Sequence, residues 1–273
     1  VAHIGVIEAL EEAGYSISAI AGSSKGAVVG GVYAAGRLPD YKKWICELDK
    51  LDVFKLLDFT LSTQGFVRGE RVFNEMKKFI DDCSIEDLEI PFKAIATDIV
   101  NKREVVFEKG SLYTALRASA AIPSVLKPSI INDVELVDGG VINPIPIPHV
   151  KRQAQDLLVV SDVNANIPGR LPVPKKEESK KLSLVLEKWS KLFPNNSTTS
   201  KIKRLSIFEL FARSIDLMQD KISDYIIDSY KPDLVIKVSR DICSTFEFYR
   251  SKEMIEHGYE KTQNALKDAL QRY

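Results

Sequence analysis

Gly22-Ser23-Ser24-Lys25-Gly26 is the stretch that most restricts how this chain can fold. It has the pattern G-x-S-x-G. The segment before it, Ser16-Ile17-Ser18-Ala19-Ile20-Ala21, has the make-up of a buried strand, and the small apolar residues from Ala27 to Ala35 that follow have that of a helix. Strand, sharp turn and helix in that order raise a serine hydroxyl above a sheet. Gly22 and Gly26 leave room for a strained turn. The helix behind it aims its first-turn amides, with their partial positive charge, at any oxyanion formed beside Ser24. The competing reading is a glycine-rich turn with a surface serine. A phosphate-binding P-loop is excluded, because the G-K-[ST] order is absent.

A serine nucleophile needs a base at the end of another strand. The only histidines among the 273 residues are His3, His149 and His257. His3 falls in the first turn of the chain, and His257 on an amphipathic C-terminal helix. His149 follows Pro144-Ile145-Pro146-Ile147-Pro148, read as a proline-rich surface turn. A Ser24, Asp138, His149 triad fits the chain order of α/β-hydrolases. However, a histidine just beyond that proline run is poorly placed to come between acid and serine. Asp138 is the better partner. It ends the strand-like Val134-Glu135-Leu136-Val137 and opens Asp138-Gly139-Gly140, which places a carboxylate at a strand end where it can face a cleft. The other reading of Asp138 is a β-turn aspartate that caps its own loop.

These segments resemble the patatin-like phospholipases. Ala2 to Gly14 resembles the first helix of that family, and Gly22 to Ala27 its nucleophile elbow. Ala115-Leu116-Arg117-Ala118-Ser119-Ala120-Ala121-Ile122-Pro123 is similar to its internal A-L-R-A-S-x-A-I-P helix, and Asp138 to Pro146 to its D-G-G/A motif. The matches come in the family's order over residues 1–165, with a weaker echo near 244–266. The resemblance implies a serine–aspartate dyad acting on lipid acyl esters without a histidine. Ser24 corresponds to the nucleophile and Asp138 to the base. Gly22, Ser23, Lys25 and Gly26 complete the elbow, Gly139 and Gly140 support the aspartate, and the Lys25 backbone N–H is an oxyanion donor. The family also carries a G-G-G-x-R/K-G oxyanion loop before its first helix. That loop would end where Val1 begins, so Val1 is read as the start of a piece of a longer protein.

Such a dyad depends on oxyanion stabilisation. A free aspartate has a pKa of about 4 and an aliphatic alcohol lies roughly ten units higher, so complete proton transfer before attack would cost well over ~10 kcal/mol. Proton removal must therefore accompany attack, with preorganised amides taking up the developing charge.

Strand and helix segments alternate along the chain. Helices are expected over 1–13, 25–36 and 111–121, and over most of 39–82 with an interruption at Thr63-Gln64-Gly65. Strands are expected at 17–22, Phe92–Thr97, Glu104–Phe107, Leu157–Asp162 and Leu234–Val238. This alternation argues an α/β fold. With the resemblance it becomes a three-layer patatin-like fold, one domain over 1–273, with a mainly parallel central sheet flanked by helices. Lysines plus arginines balance aspartates plus glutamates at 38 each, so no net field recruits nucleic acid. Cys46, Cys83 and Cys243 lack metal spacing and read as reduced thiols, which makes a cytoplasmic location the default. No metal or cofactor is expected. The uncharged stretch from Gly26 to Gly36 is too short to span a bilayer, and no signal peptide is visible.

Residues 165–205 read as a basic, lid-like or interfacial insertion. Arg170 to Arg204 holds ten basic residues against three acidic, a net +7. Leu182, Val185, Leu186, Trp189, Leu192 and Phe193 share one helical face. A short basic helix carrying tryptophan can lie in a membrane interface, which assigns peripheral membrane contact to 180–193. The same stripe could instead pack on the domain or meet a second copy. The functional reading is hydrolysis of phospholipid or lysophospholipid esters. The alternatives are an acyltransferase using the same acyl-enzyme, or a non-catalytic lipid-binding module on the same fold.

Overall fold

A computed structural model describes residues 1–57, 59–62, 65–67, 69–169, 207–243 and 247–271. The chain opens with helix α1 (Ala2–Glu12), strand β1 (Ile20–Ser23) and helix α2 (Lys25–Ala34). Helices α3 (Leu38–Glu47) and α4 (Lys50–Leu56) follow, then strands β2 (Phe59–Ser62) and β3 (Gly65–Val67) and helix α5 (Glu70–Met76). Next come strands β4 (Phe92–Asp98) and β5 (Arg103–Phe107), helix α6 (Leu112–Ser119), and strands β6 (Ser124–Leu126), β7 (Ser129–Ile131) and β8 (Val134–Asp138). Strand β9 (Val159–Ala165), helix α7 (Ile207–Tyr230), strand β10 (Leu234–Ser239) and helix α8 (Ser251–Leu270) complete the described order. The expected insertion at 165–205, including the 180–193 stripe, lies almost entirely outside the described residues.

The fold is the expected layered α/β arrangement of sheet and flanking helices. β1 pairs in parallel with β4, and β9 with β10, as crossover connections require. β5, which follows β4 in a hairpin, and the remote β8 both run antiparallel to β4, and β7 runs antiparallel to β8. β4 is therefore the central strand beside the site. It is buried at every position except Lys93, which gives the continuous apolar run of a strand covered on both faces.

Helices α2 and α6 pack on β1, β4 and β8, while α1 and α8 pack on β9 and β10. The α1–α8 contact is made backbone to backbone. A Cβ on Gly5 would stand 1.9 Å from the Ile255 carbonyl oxygen, and one on Gly258 2.2 Å from that of Ala2.

Two segments differ from expectation. The stretch expected to be helical with one interruption contains the β2–β3 hairpin, because β3 finds a parallel partner in β6, more than fifty residues on. Ile145 and Ile147, read as part of a surface turn, are each only 8 % exposed and form a core with Leu158 and Val160.

Candidate active site

Ser24 is the N-cap of α2, at φ 55° and ψ −127°. A non-glycine residue in that region stores roughly 1–3 kcal/mol of strain and persists only where its surroundings impose it. Gly22 shows what imposes it: a Cβ there would lie 2.6 Å from the Ala27 backbone nitrogen, so strand and helix close too tightly for any side chain. Gly26 is different. A Cβ there would meet only the His3 ring, at 3.6 Å, an ordinary contact. The expectation that both glycines make the turn possible therefore holds sterically for Gly22 alone. The turn is also tied from outside, since the Ser24 N–H donates to Ser119 Oγ at 3.0 Å. Ser119 is fully buried at the last turn of α6.

Asp138 comes from the other side of β4. Ser23 is opposite Ile95 in the β1–β4 register, and Asp138 is opposite Ala96 in the β4–β8 register. Asp138 is 3 % exposed. Its Oδ1 accepts the Gly140 N–H at 2.7 Å, while Oδ2 is buried and has no partner of hydrogen-bond geometry. Burial raises its pKa from 3.8 to about 6, against the opposing pull of the nearby Ser24 hydroxyl, the Gly140 N–H and the Lys25 ammonium. The Ser24 hydroxyl is thus near enough to favour the charged form of Asp138 without forming an aligned hydrogen bond to it. The turn-capping reading of Asp138 holds for Oδ1, which leaves Oδ2 without a hydrogen-bond partner.

Gly139 is held by sterics. A Cβ there would lie 2.1 Å from the Ile95 carbonyl oxygen and 3.1 Å from Ser23 Oγ. A Cβ on Gly140 would meet the movable Gln219 amide at 2.9 Å and Asp138 Oδ1 at 3.0 Å. Ser23 donates to the Asn143 carbonyl at 2.6 Å, and Thr97 Oγ1 to the Asp138 carbonyl at 3.0 Å. The elbow and the aspartate loop are therefore fastened to each other as well as to the sheet. Lys25, next to Ser24, has its pKa lowered by burial, with Cys243 and Asp138 opposing.

Sequence reasoning gave no role to Ser119, Thr97 or Gln219, whose amide donates to the Gly140 carbonyl at 2.9 Å. Ser119 lay within the recognised A-L-R-A-S segment, and that was the only signal that could have found it. His149 does not stand between Asp138 and Ser24: its Nε2 lies 2.6 Å from Glu104 Oε2. His3 binds Ser161 Oγ through Nδ1 at 2.8 Å, and burial pushes its pKa down to about 3. His257 is on α8, with its Nε2 buried. Asp98 accepts from the Asn101 N–H, the Asn101 amide and Arg103 Nε, and so braces the β4–β5 turn. The three cysteines are free, and the described residues hold no cluster of three metal-binding side chains. No described helix is long and apolar enough to cross a membrane. A hollow of about 600 Å³ lined by Tyr33, Lys42, Cys46 and Lys252 includes no residue of the elbow or the aspartate loop.

A family model described as patatin-like phospholipase matches residues 1–151. An uncharacterised NTE family protein of Mycobacterium bovis is 31% identical over 316 aligned residues, covering 97% of this chain and 87% of that protein. Lysophospholipase nte1 of Emericella nidulans is 28% identical over 267 residues, which are 95% of this chain and 17% of that longer protein. Among solved structures, VipD from Legionella pneumophila superposes with a TM-score of 0.54 at 13% identity, over 98% of this chain and 64% of VipD, a likeness of fold. The chain belongs to the patatin-like phospholipase family.

Proposed function

We propose that the protein hydrolyses carboxylic esters of phospholipids or lysophospholipids, with Ser24 as nucleophile and Asp138 as base. The observation that carries this reading is the pairing of a strained serine on a strand–helix turn with a buried carboxylate whose Oδ2 is unpartnered. Family membership and the lysophospholipase name of one relative support a lipid substrate.

Ser24 Oγ attacks the acyl carbonyl carbon while Asp138 Oδ2 takes its proton. The first-turn amides of α2, which have no intrahelical acceptor, face the oxygen on which charge develops. The Ser24 N–H is already bonded to Ser119, so the Lys25 and Gly26 N–H groups are the donors available on this side. Collapse of the tetrahedral intermediate breaks the ester bond, and the proton passes from Asp138 to the departing alkoxide oxygen. Water then loses a proton to Asp138 and attacks the acyl-enzyme. The fatty acid leaves, and Ser24 recovers its proton.

A pKa of about 6 leaves Asp138 largely ionised at neutral pH and makes it a better proton acceptor than an ordinary aspartate. Membrane association belongs to the same reading, since the substrates reside at lipid surfaces. The test is release of fatty acid from lysophospholipid and diacyl phospholipid by the full-length protein. Ser24→Ala must abolish it and Asp138→Asn must lower it at least ~100-fold. Activity that survives Ser24→Ala refutes the assignment.

A further inference from the structure

One carboxylate on β5 holds two side chains that bound a single segment. Asn143 Nδ2 donates to Glu104 Oε1 at 3.0 Å, and His149 Nε2 meets Glu104 Oε2 at 2.6 Å. The two oxygens of one carboxylate are thus each engaged by a different side chain. Glu104 thus grips Asn143-Pro144-Ile145-Pro146-Ile147-Pro148-His149 by both ends. The segment between is stiff: three prolines fix φ, and Ile145 and Ile147 are sunk into a small core.

The near end of this strap is what the elbow leans on. The Ser23 hydroxyl bonds the Asn143 carbonyl at 2.6 Å, and Ser23 immediately precedes Ser24. Asn143 is 3 % exposed and its Oδ1 is buried without a partner, so its side-chain amide is secured by Glu104 through Nδ2. Glu104 itself lies outside the reacting pair, with a side chain 31% exposed.

We propose that Glu104 is a positioning residue for the Ser24–Asp138 pair. By clamping both ends of the 143–149 strap it fixes the Asn143 carbonyl, through that carbonyl the Ser23 hydroxyl, and so the placement of Ser24 relative to Asp138. The proposal rests on the reading of Ser24 and Asp138 as the reacting groups.

The test compares Glu104→Ala and Glu104→Gln in the full-length protein. It measures kcat and KM on a soluble short-chain ester, the rate of fluorophosphonate labelling, and hydrogen exchange of peptides covering 22–26 and 138–143. A small misplacement of the reacting groups is expected to lower kcat and the labelling rate of Glu104→Ala by about tenfold or more, with KM held within about twofold. Exchange should quicken in both peptides. Glutamine can still accept from Asn143 through Oε1, and its amide N–H can donate to His149 Nε2 once the imidazole carries its proton on Nδ1, so Glu104→Gln should recover most of the lost rate.

The proposal is overturned if Glu104→Ala lowers the melting temperature alone, if it raises KM with kcat unchanged, or if glutamine rescues nothing. Should Glu104→Ala not fold, His149→Ala frees one end only and must lower kcat in the same direction. An unchanged kcat there also overturns it. If the wild-type protein never labels at Ser24, the hydrolase reading falls by itself. The exchange comparison still decides the clamp, and unchanged exchange at both peptides rejects it.

Discussion

Ser23 and Asp138 flank β4 at neighbouring positions, Ser23 opposite Ile95 on one side and Asp138 opposite Ala96 on the other. The strand spacing of roughly 4.8 Å on either side sets the distance across which Ser24 and Asp138 must work. Neither residue could be moved without shifting a strand register.

The rate should follow the titration of Asp138. In the proposed mechanism its unprotonated form is the base, and burial places its pKa at about 6. The kcat/KM of Ser24-dependent esterase activity should therefore fall as pH drops through about 6 and level off above it. A profile flat down to pH 4 would mean that Asp138 titrates like an exposed aspartate.

Asp138→Asn should trade activity for stability. The folded-state pKa is raised from 3.8 to about 6, so the native protein binds more protons than the unfolded chain between those values. Stability contributed by this group is present below about pH 4 and lost as pH rises through about 6, up to about 3 kcal/mol. Thermal melts should show Asp138→Asn more stable than wild type at pH 7–8, with the gain gone near pH 4.

Gly139→Ala and Gly26→Ala should separate sharply. The first drives a methyl group into the Ile95 carbonyl, which would lie 2.1 Å away, and should cost about 3 kcal/mol or more in denaturant melts, with loss of activity. The second adds a methyl group in open contact on a helix and should change stability by no more than ~1 kcal/mol, in the favourable direction.

Ser119→Ala should act on the elbow without touching the chemistry. It leaves the half-buried Ser24 N–H without its partner at 3.0 Å, a loss of about 1 kcal/mol. Melting temperature and kcat should fall together. A glycine at this position should do no better, whereas Ser119→Thr, if it packs, should keep the bond.

What could be read from the sequence is what is encoded locally. Gly22 to Gly26 announces a strand–turn–helix because those five residues and their two flanks contain the whole motif, and Asp138-Gly139-Gly140 announces a strand end for the same reason. Ser119, Asn143 and Glu104 could not be placed that way. Their roles arise from contacts between residues 95, 120 and 39 positions apart, set by the strand order around β4. The β2–β3 hairpin was hidden for a related reason: its partner β6 is remote, so a short apolar run read as helix. The proline segment misled because proline marks turns, while the isoleucines between the prolines were what mattered for burial.

The most direct test of the central claim is fluorophosphonate labelling of the folded full-length protein, followed by intact mass and peptide mapping. The account predicts one adduct, on Ser24, absent in Ser24→Ala and formed far more slowly in Asp138→Asn. No adduct, or a Ser24 adduct that forms at the wild-type rate in Asp138→Asn, would contradict it.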